Sequence, residues 1–270
     1  TAAFFLGGTA GAAAGSALAG AVIEAGGFAL FGWSATALAL LPVLVGAWWL
    51  PDVGRGRRPV RATVLTHFGA MLRRREIQVL GALRYLPTVW TGVWQLALPL
   101  LVFRASGNVA VTAAYSATSL IGAAILPFAV GGWSDRRGLR GPTLLSLSGM
   151  LGAAAVLAVW HPALPVLFIA GTFGMACAQN MSLLVLGGVR VCTHDEERGR
   201  AVGFVHALWS AGLFSGSLVT GALVDLHPAM PFGGAAAVTA VALAVAVVWF
   251  RPHRHLPGTR PVSGRSPTDG

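Results

Sequence analysis

The chain has 270 residues, of which 55% are hydrophobic and only 10% charged, with a formal net charge of +10. Soluble domains carry about 25% charged residues, so this composition indicates a membrane protein and excludes an ordinary soluble domain. The 19 basic residues are all arginines and lie in bursts between apolar runs. That distribution is typical of membrane loops and argues against a nucleic-acid partner.

Eight runs are long and apolar enough to cross a bilayer, which takes about 20 residues. In chain order they are predicted at 3–23, 28–50, 78–103, 108–130, 142–160, 164–189, 200–225 and 230–250. None alternates with polar residues as barrel strands do. We therefore expect an all-α, polytopic membrane protein with eight transmembrane helices, whose first partner is the lipid bilayer.

The connections between these spans differ sharply in charge. Arginine bursts follow the second, fourth, sixth and eighth spans, and the intervening turns carry almost no basic residues. By the positive-inside rule, the arginine-rich connections and the C-terminus face the cytoplasm. The expected location is the cell inner (plasma) membrane, which the chain crosses several times.

A long repeat divides the chain. Residues 10–51 and 211–252 align without a gap, so that Gly15-Ser16 matches Gly216-Ser217 and Glu24 falls on Asp225. In a membrane protein such a repeat indicates a transporter built from two related halves. The predicted parts are the last two helices of an N-terminal bundle (1–50), a cytoplasmic linker (51–77), a complete six-helix C-terminal bundle (78–252) and a disordered cytoplasmic tail (253–270).

The repeat also predicts that four N-terminal helices are missing before Thr1. It places the two spans ahead of the linker in register with the last two spans of the second bundle. A whole of six plus six helices is therefore expected, and these missing helices are expected partners of the chain. The 270-residue chain alone is expected not to transport, because half of the central cavity would be missing.

A short polar motif joins the fourth and fifth predicted spans, with the sequence Gly131-Gly132-Trp133-Ser134-Asp135-Arg136-Arg137-Gly138-Leu139-Arg140. Its pattern resembles the G-x-x-x-D-R-x-G-R-R signature of the major facilitator superfamily, with Leu139 in place of one basic residue. The matching residues, interpreted as a gating turn, are Gly131, Asp135, Arg136, Gly138 and Arg140. Gly138 suits a reversal at positive φ. The resemblance covers the chain to about residue 252 and implies two helical bundles working by alternating access. The alternative is a turn that serves only topology.

The repeated segment carries glycines at four-residue spacing, which lets helix backbones approach closely. The predicted helix-packing glycines are Gly11, Gly15, Gly20, Gly212, Gly216 and Gly221. In many antiporters of the superfamily, the helix that corresponds to the first copy carries a glycine-proline pair; here Ser16 replaces the proline. Plain helix packing is the alternative to a role in coupling.

Polar residues inside spans are candidates for a substrate cavity, because they are unfavourable in lipid. The candidates are Arg84, Thr88, Thr91, Trp94, Gln95, Gln179, Asn180, His206 and Ser210. Four of them, Arg84, Thr88, Thr91 and Gln95, are spaced by four, three and four residues, which predicts a polar stripe on one helical face. Structural alternatives exist: Arg84 can extend to the interface, threonines can bond to their own helix, and His206 can bridge two helices. His194 beside the acidic run 195–197 is not interpreted as a metal site, since acidic residues favour a helix N-terminus.

These features favour a secondary active transporter of a small-molecule substrate. Efflux of an amphiphilic or drug-like compound is the leading hypothesis, because tryptophans and few charges line the predicted cavity. Uptake of a sugar or organic acid is the alternative within transport, and a non-transporting or decayed fragment is the alternative from another class. No paired carboxylates or histidine ligands indicate an enzyme. No cofactor is expected, and coupling to a proton or ion gradient is compatible with the sequence.

Overall fold

The computed structural model describes residues 2–49, 69 and 72–250. These residues form helices and short connections and contain no strand, which confirms the all-α prediction. The helices are α1 (Ala2–Trp49), α2 (Arg75–Ser106), α3 (Val109–Arg137), α4 (Arg140–Trp160), α5 (Leu164–Cys192), α6 (Asp195–Leu223) and α7 (Met230–Trp249). Most of the predicted linker at 51–77 and the predicted tail at 253–270 lie outside the described residues.

Seven described helices are long and apolar enough to cross a membrane, with lengths of 20 to 32 residues. The bilayer core needs about 20 residues, so each suffices for one crossing. At the start of the chain, the first two predicted spans correspond to the two helical segments of α1, which meet at a break where the turn between these spans was expected.

The interruption of α1 lies at Gly26 and Gly27. Gly26 has φ −154° and ψ 19°, and Gly27 has φ 69° and ψ −174°, so neither residue is helical. The positive φ at Gly27 suits glycine, which has no Cβ to oppose that conformation. Alanines and other helix formers continue on both sides, and only these two residues leave the helical conformation.

Helices α2 to α7 pack around α2. Helix α2 packs most extensively on α6 and also contacts α7 and α5, while α5 packs on α3 and α4. Small residues make these contacts close: a Cβ at Gly188 of α5 would lie 2.6 Å from the Leu80 side chain of α2. Helix α1 packs chiefly on α3, and its second segment, after Gly27, is almost wholly exposed.

Polar contacts fix the relative directions of four helices. Arg74, just before α2, pairs with Glu197 in the first turn of α6, and Arg104 near the end of α2 pairs with Asp225 just after α6. These two helices are therefore parallel. At the start of α4, Arg140 donates to the Val247 carbonyl near the end of α7, so α4 and α7 are antiparallel. The orientation of these ends relative to a membrane stays a prediction.

Candidate functional site

The predicted polar stripe on α2 passes from a buried to an exposed environment. Arg84 and Thr88 are each 4% exposed, Thr91 is half-buried and Gln95 is exposed. The Thr88 hydroxyl donates to the Arg84 carbonyl at 2.6 Å, and the Thr91 hydroxyl donates to the Pro87 carbonyl at 2.9 Å. Both threonines thus use their hydroxyl hydrogens within their own helix. Gln95 is the member of the stripe whose side chain is most accessible.

Trp94 is an interior residue that joins α2 to α5. Its indole Nε1 donates to the Gly171 carbonyl at 2.8 Å, and its ring stacks on Trp90 with centroids 3.9 Å apart. The Trp94 ring also forms an edge-to-face contact with the Phe232 ring of α7, with centroids 5.6 Å apart. Gly174 leaves room for both indoles, because a Cβ there would lie 2.8 Å from each of them. In this structure Trp94 therefore packs in the bundle interior and presents little surface to a solute.

The two polar candidates on α5 have different surroundings. Asn180 is buried and donates through Nδ2 to the Ser146 hydroxyl of α4 at 2.7 Å. Gln179, the preceding residue, is half-buried. A buried amide needs such a partner, because an unsatisfied one costs about 1–3 kcal/mol. Asn180 accordingly bridges two helices, and Gln179 is the more accessible of the pair.

The α6 candidates lie beside Arg84. His206 and Ser210 are both exposed, and between them the Trp209 ring lies 6.3 Å from the His206 ring at an interplanar angle of 88°. The Arg84 guanidinium carbon lies 5.9 Å from the centroid of Trp209. The structure thus places the Arg84 guanidinium and the His206 ring near the same indole. We call Arg84, Trp209 and His206 the cationic-aromatic cluster.

Tyr85 and Ser215 form a contact between α2 and α6 that is absent from the sequence prediction. Their hydroxyl oxygens share a hydrogen bond of 3.1 Å, and both residues are half-buried. Tyr85 is one of only two tyrosines in the chain and lies within an apolar run. A tyrosine hydroxyl in an apolar run needs a hydrogen-bond partner, so Tyr85 itself was the sequence signal for this contact.

The two copies of the glycine motif have different neighbours. A Cβ on Gly212 would lie 2.8 Å from the Tyr85 carbonyl oxygen, and one on Gly216 would meet the Val89 carbonyl oxygen and lie 3.0 Å from the Cα of Gly92. The backbones of α2 and α6 therefore touch at these positions. Among the described residues, no such neighbour lies within 4 Å of a Cβ placed on Gly11, Gly15, Gly20 or Gly221.

Gly20 has a second feature of interest. With Ala21 and Glu24 it lines one side of a groove of about 240 Å³, and alanines of α3 line the other side. The groove is small compared with the roughly 300–1,000 Å³ of pockets that hold drug-sized ligands. It therefore marks loose packing between α1 and α3 and is too small to enclose such a ligand.

The predicted gating turn is mostly helical. Helix α3 continues through Gly131, Asp135 and Arg136, and only Gly138 and Leu139 connect it to α4. Gly138 has φ 84°, the positive-φ geometry that the reversal was expected to require. The prediction of a turn spanning 131–140 was too long, since the reversal needs only two residues once glycine supplies this conformation.

The charged groups of the motif have separate roles in the structure. Arg140 donates to the Val247 carbonyl at 3.0 Å, a favourable position for a cation near a helix C-terminus. Asp135 is exposed, and within the described part of the chain it forms no ion pair. Leu139 packs against α5, where a Cβ on Gly187 would lie 3.4 Å from its side chain. An apolar residue therefore suits the position where the superfamily signature has a basic one.

Comparison with known proteins gives no family assignment. The chain matches no protein-family model, and no curated protein is significantly similar to it. The fold that the described residues establish is an all-helical bundle with several helices able to span a membrane.

Proposed function

We propose that the protein is a secondary active transporter that moves a small solute across a membrane by alternating access. The observation that carries this proposal is the sequence repeat, whose second copy covers the closely packed C-terminal part of α6 and all of α7. Segments 10–51 and 211–252 share glycine, tryptophan, proline and acidic positions. Two related halves are a common way to build a protein that opens alternately to each side of a membrane.

The α3–α4 connection supports the same proposal. Its sequence resembles the superfamily signature, and Asp135 and Arg136 are exposed at the end of α3. Asp135 has its carboxylate available to a second bundle, because no ion pair among the described residues engages it. A charge contact of this kind would hold one inward or outward conformation and break in the other.

The accessible polar and aromatic residues suit a solute with both polar and apolar parts. Gln95, Gln179, His206 and Ser210 are exposed or half-buried within otherwise apolar helices. Polar groups at such positions are typical of solute pathways. Efflux of an amphiphilic compound is the direction we propose, because the accessible aromatic surface of Trp209 favours a substrate that also partitions into lipid.

Transport by the complete gene product that contains this sequence tests the proposal. The protein would be reconstituted in liposomes, and uptake of a panel of radiolabelled anionic, neutral and cationic aromatic solutes measured with and without a proton gradient. We expect saturable flux of at least one solute that falls when an uncoupler removes the gradient. Flux no greater than in empty liposomes for every solute, from a folded protein, would overturn the proposal.

A further inference from the structure

Arg84 carries a buried positive charge inside a membrane-spanning helix. The residue is 4% exposed, and its Nε has no hydrogen-bond partner among the described residues. It lies nine positions after the start of α2, which places it about 14 Å along the helix axis. A cation at this depth is unfavourable unless an anion or hydrogen-bond acceptors compensate its charge.

The described part of the chain offers Arg84 no carboxylate. Ion pairs join Arg74 to Glu197 and Arg104 to Asp225, at the two ends of α2, and neither involves Arg84. Among the described residues, every acidic residue lies near a helix end, in a connection or, in the case of Glu24, two residues before the break in α1. The charge of Arg84 is therefore left for a group other than these carboxylates to neutralise.

Trp209 partly stabilises the charge of Arg84 and is itself partly exposed. The guanidinium carbon lies 5.9 Å from the centroid of the indole, within the range of a cation–π contact. An indole has no net charge, so this contact leaves the cation without a counter-ion. Trp209 is 36% exposed, and the ring of exposed His206 lies 6.3 Å from the Trp209 ring, centroid to centroid. The cationic-aromatic cluster thus extends from a buried guanidinium to an accessible aromatic surface.

We propose that the cationic-aromatic cluster binds the anionic group of the transported solute, so that the substrate is an amphiphilic organic anion. The inference rests on the transport function proposed above and names the substrate class. Arg84 donates hydrogen bonds to a carboxylate or sulfonate, a geometry in which a guanidinium forms two parallel bonds. Trp209 packs on the apolar body of the same molecule, and His206 lies at the open edge.

Binding to the chain itself tests this assignment, because all three residues belong to α2 and α6. The three probes share one aromatic body and differ in charge: 1-naphthoate, 1-naphthamide and 1-naphthylmethylammonium. Binding would be measured at pH 7 on the 270-residue chain in phosphatidylcholine nanodiscs, by scintillation proximity with radiolabelled 1-naphthoate and competition by the other two. We expect 1-naphthoate to bind roughly tenfold more tightly than the amide, as a charge-assisted hydrogen bond would give.

Matched variants identify the residue responsible. Arg84→Gln should reduce 1-naphthoate affinity to that of the amide, and Arg84→Lys should keep part of the difference. Arg75→Gln, on the same helix but exposed, removes an equal charge and should leave binding unchanged. Trp209→Ala should weaken 1-naphthoate and 1-naphthamide by similar factors, since it removes apolar contact with both.

Several results would overturn the proposal. Equal affinity for the three probes, or preference for the ammonium, excludes an anion site even if Arg84→Gln fails to fold. Equal losses of 1-naphthoate affinity in Arg75→Gln and Arg84→Gln would indicate that the anion is attracted by the general positive charge of the chain and not by a site at Arg84. Absence of binding of all three probes to the folded 270-residue chain also excludes the site, whatever the melting temperature of Arg84→Gln. Selective naphthoate binding without flux in the complete gene product would refute transport alone, and flux without charge preference would refute the anion site alone.

Discussion

Arg104, in the last turn of α2, donates a 2.9 Å hydrogen bond to the carboxylate of Asp225, which follows α6. At the opposite end of the same two helices, Arg74 forms two hydrogen bonds to Glu197, of 2.7 and 3.0 Å. Between these ion pairs, Gly92 of α2 lies against Gly216 of α6. The parallel helices α2 and α6 are thus joined at both ends and in the middle, and they are expected to move together.

The glycine contact at Gly216 should dominate the stability of this pair. Gly216→Ala puts a methyl group against the Val89 carbonyl oxygen, so the two backbones must separate. Overpacking of this kind costs about 1–3 kcal/mol. We expect a lower melting temperature in detergent. Gly221→Ala, in the same helix, meets no such neighbour among the described residues and should leave the melting temperature unchanged or slightly raised. Equal melting temperatures for the two variants would contradict the packing.

The two ion pairs should contribute modestly. Both arginines and Asp225 are more than 40% exposed, so solvent screens their charges. A double-mutant cycle with Arg104→Gln and Asp225→Asn should give a coupling energy of about 0.2–1 kcal/mol. The Arg74–Glu197 cycle should give the larger coupling, because that pair has two hydrogen bonds. Both couplings should shrink in about 1 M salt. Salt-independent coupling would show that the pairs do not act through charge.

Substitution of Asn180 should lower stability, whereas substitution of Gln179 should lower transport. Asn180→Ala leaves the buried Ser146 hydroxyl without its donor, so we expect a loss of about 1–3 kcal/mol in the free energy of unfolding. Adding Ser146→Ala should cost less than the sum of the two single changes, since both remove one bond. Gln179→Ala should preserve stability and reduce flux in the complete gene product. A stability loss at Gln179 equal to that at Asn180 would argue against this division.

Substitutions of Arg140 and Asp135 should also have different effects, the first on stability and the second on transport. Arg140→Gln removes the guanidinium donor to Val247 near the C-terminus of α7, and we expect a stability loss of about 0.5–1.5 kcal/mol. Asp135→Asn should reduce transport while leaving expression, topology and melting temperature unchanged. Unaltered transport by Asp135→Asn would favour a turn that serves only topology.

Helix positions were largely predictable from the sequence because apolar run length decides them. The six predicted spans from 78 to 250 each correspond to one of the helices α2 to α7. Their ends differed most where charged residues remain helical, as in α3, which continues through Asp135 to Arg137. Runs of apolar residues do not mark such ends, since arginines near a helix C-terminus stabilise it.

Side-chain environments were less predictable than helix positions. Spacing placed Arg84, Thr88, Thr91 and Gln95 on one face, but neighbouring helices cover the first part of that face and leave Gln95 exposed. Trp94 could not be distinguished from a cavity residue by sequence, because its position depends on the space left by Gly174 on another helix. Tertiary packing of this kind has no local signal.

The stacking of Trp90 on Trp94 also gives the protein an internal optical reporter. Two indoles with centroids 3.9 Å apart and nearly parallel planes couple their electronic transitions, and the absence of a side chain at Gly174 keeps both against α5. The Trp94 indole also donates to the Gly171 carbonyl of α5, so a movement of α5 away from α2 that breaks this bond would release the Trp94 ring and change the circular dichroism of the pair without any added label. The conformational cycle of the proposed transporter would then be open to optical measurement on the native sequence.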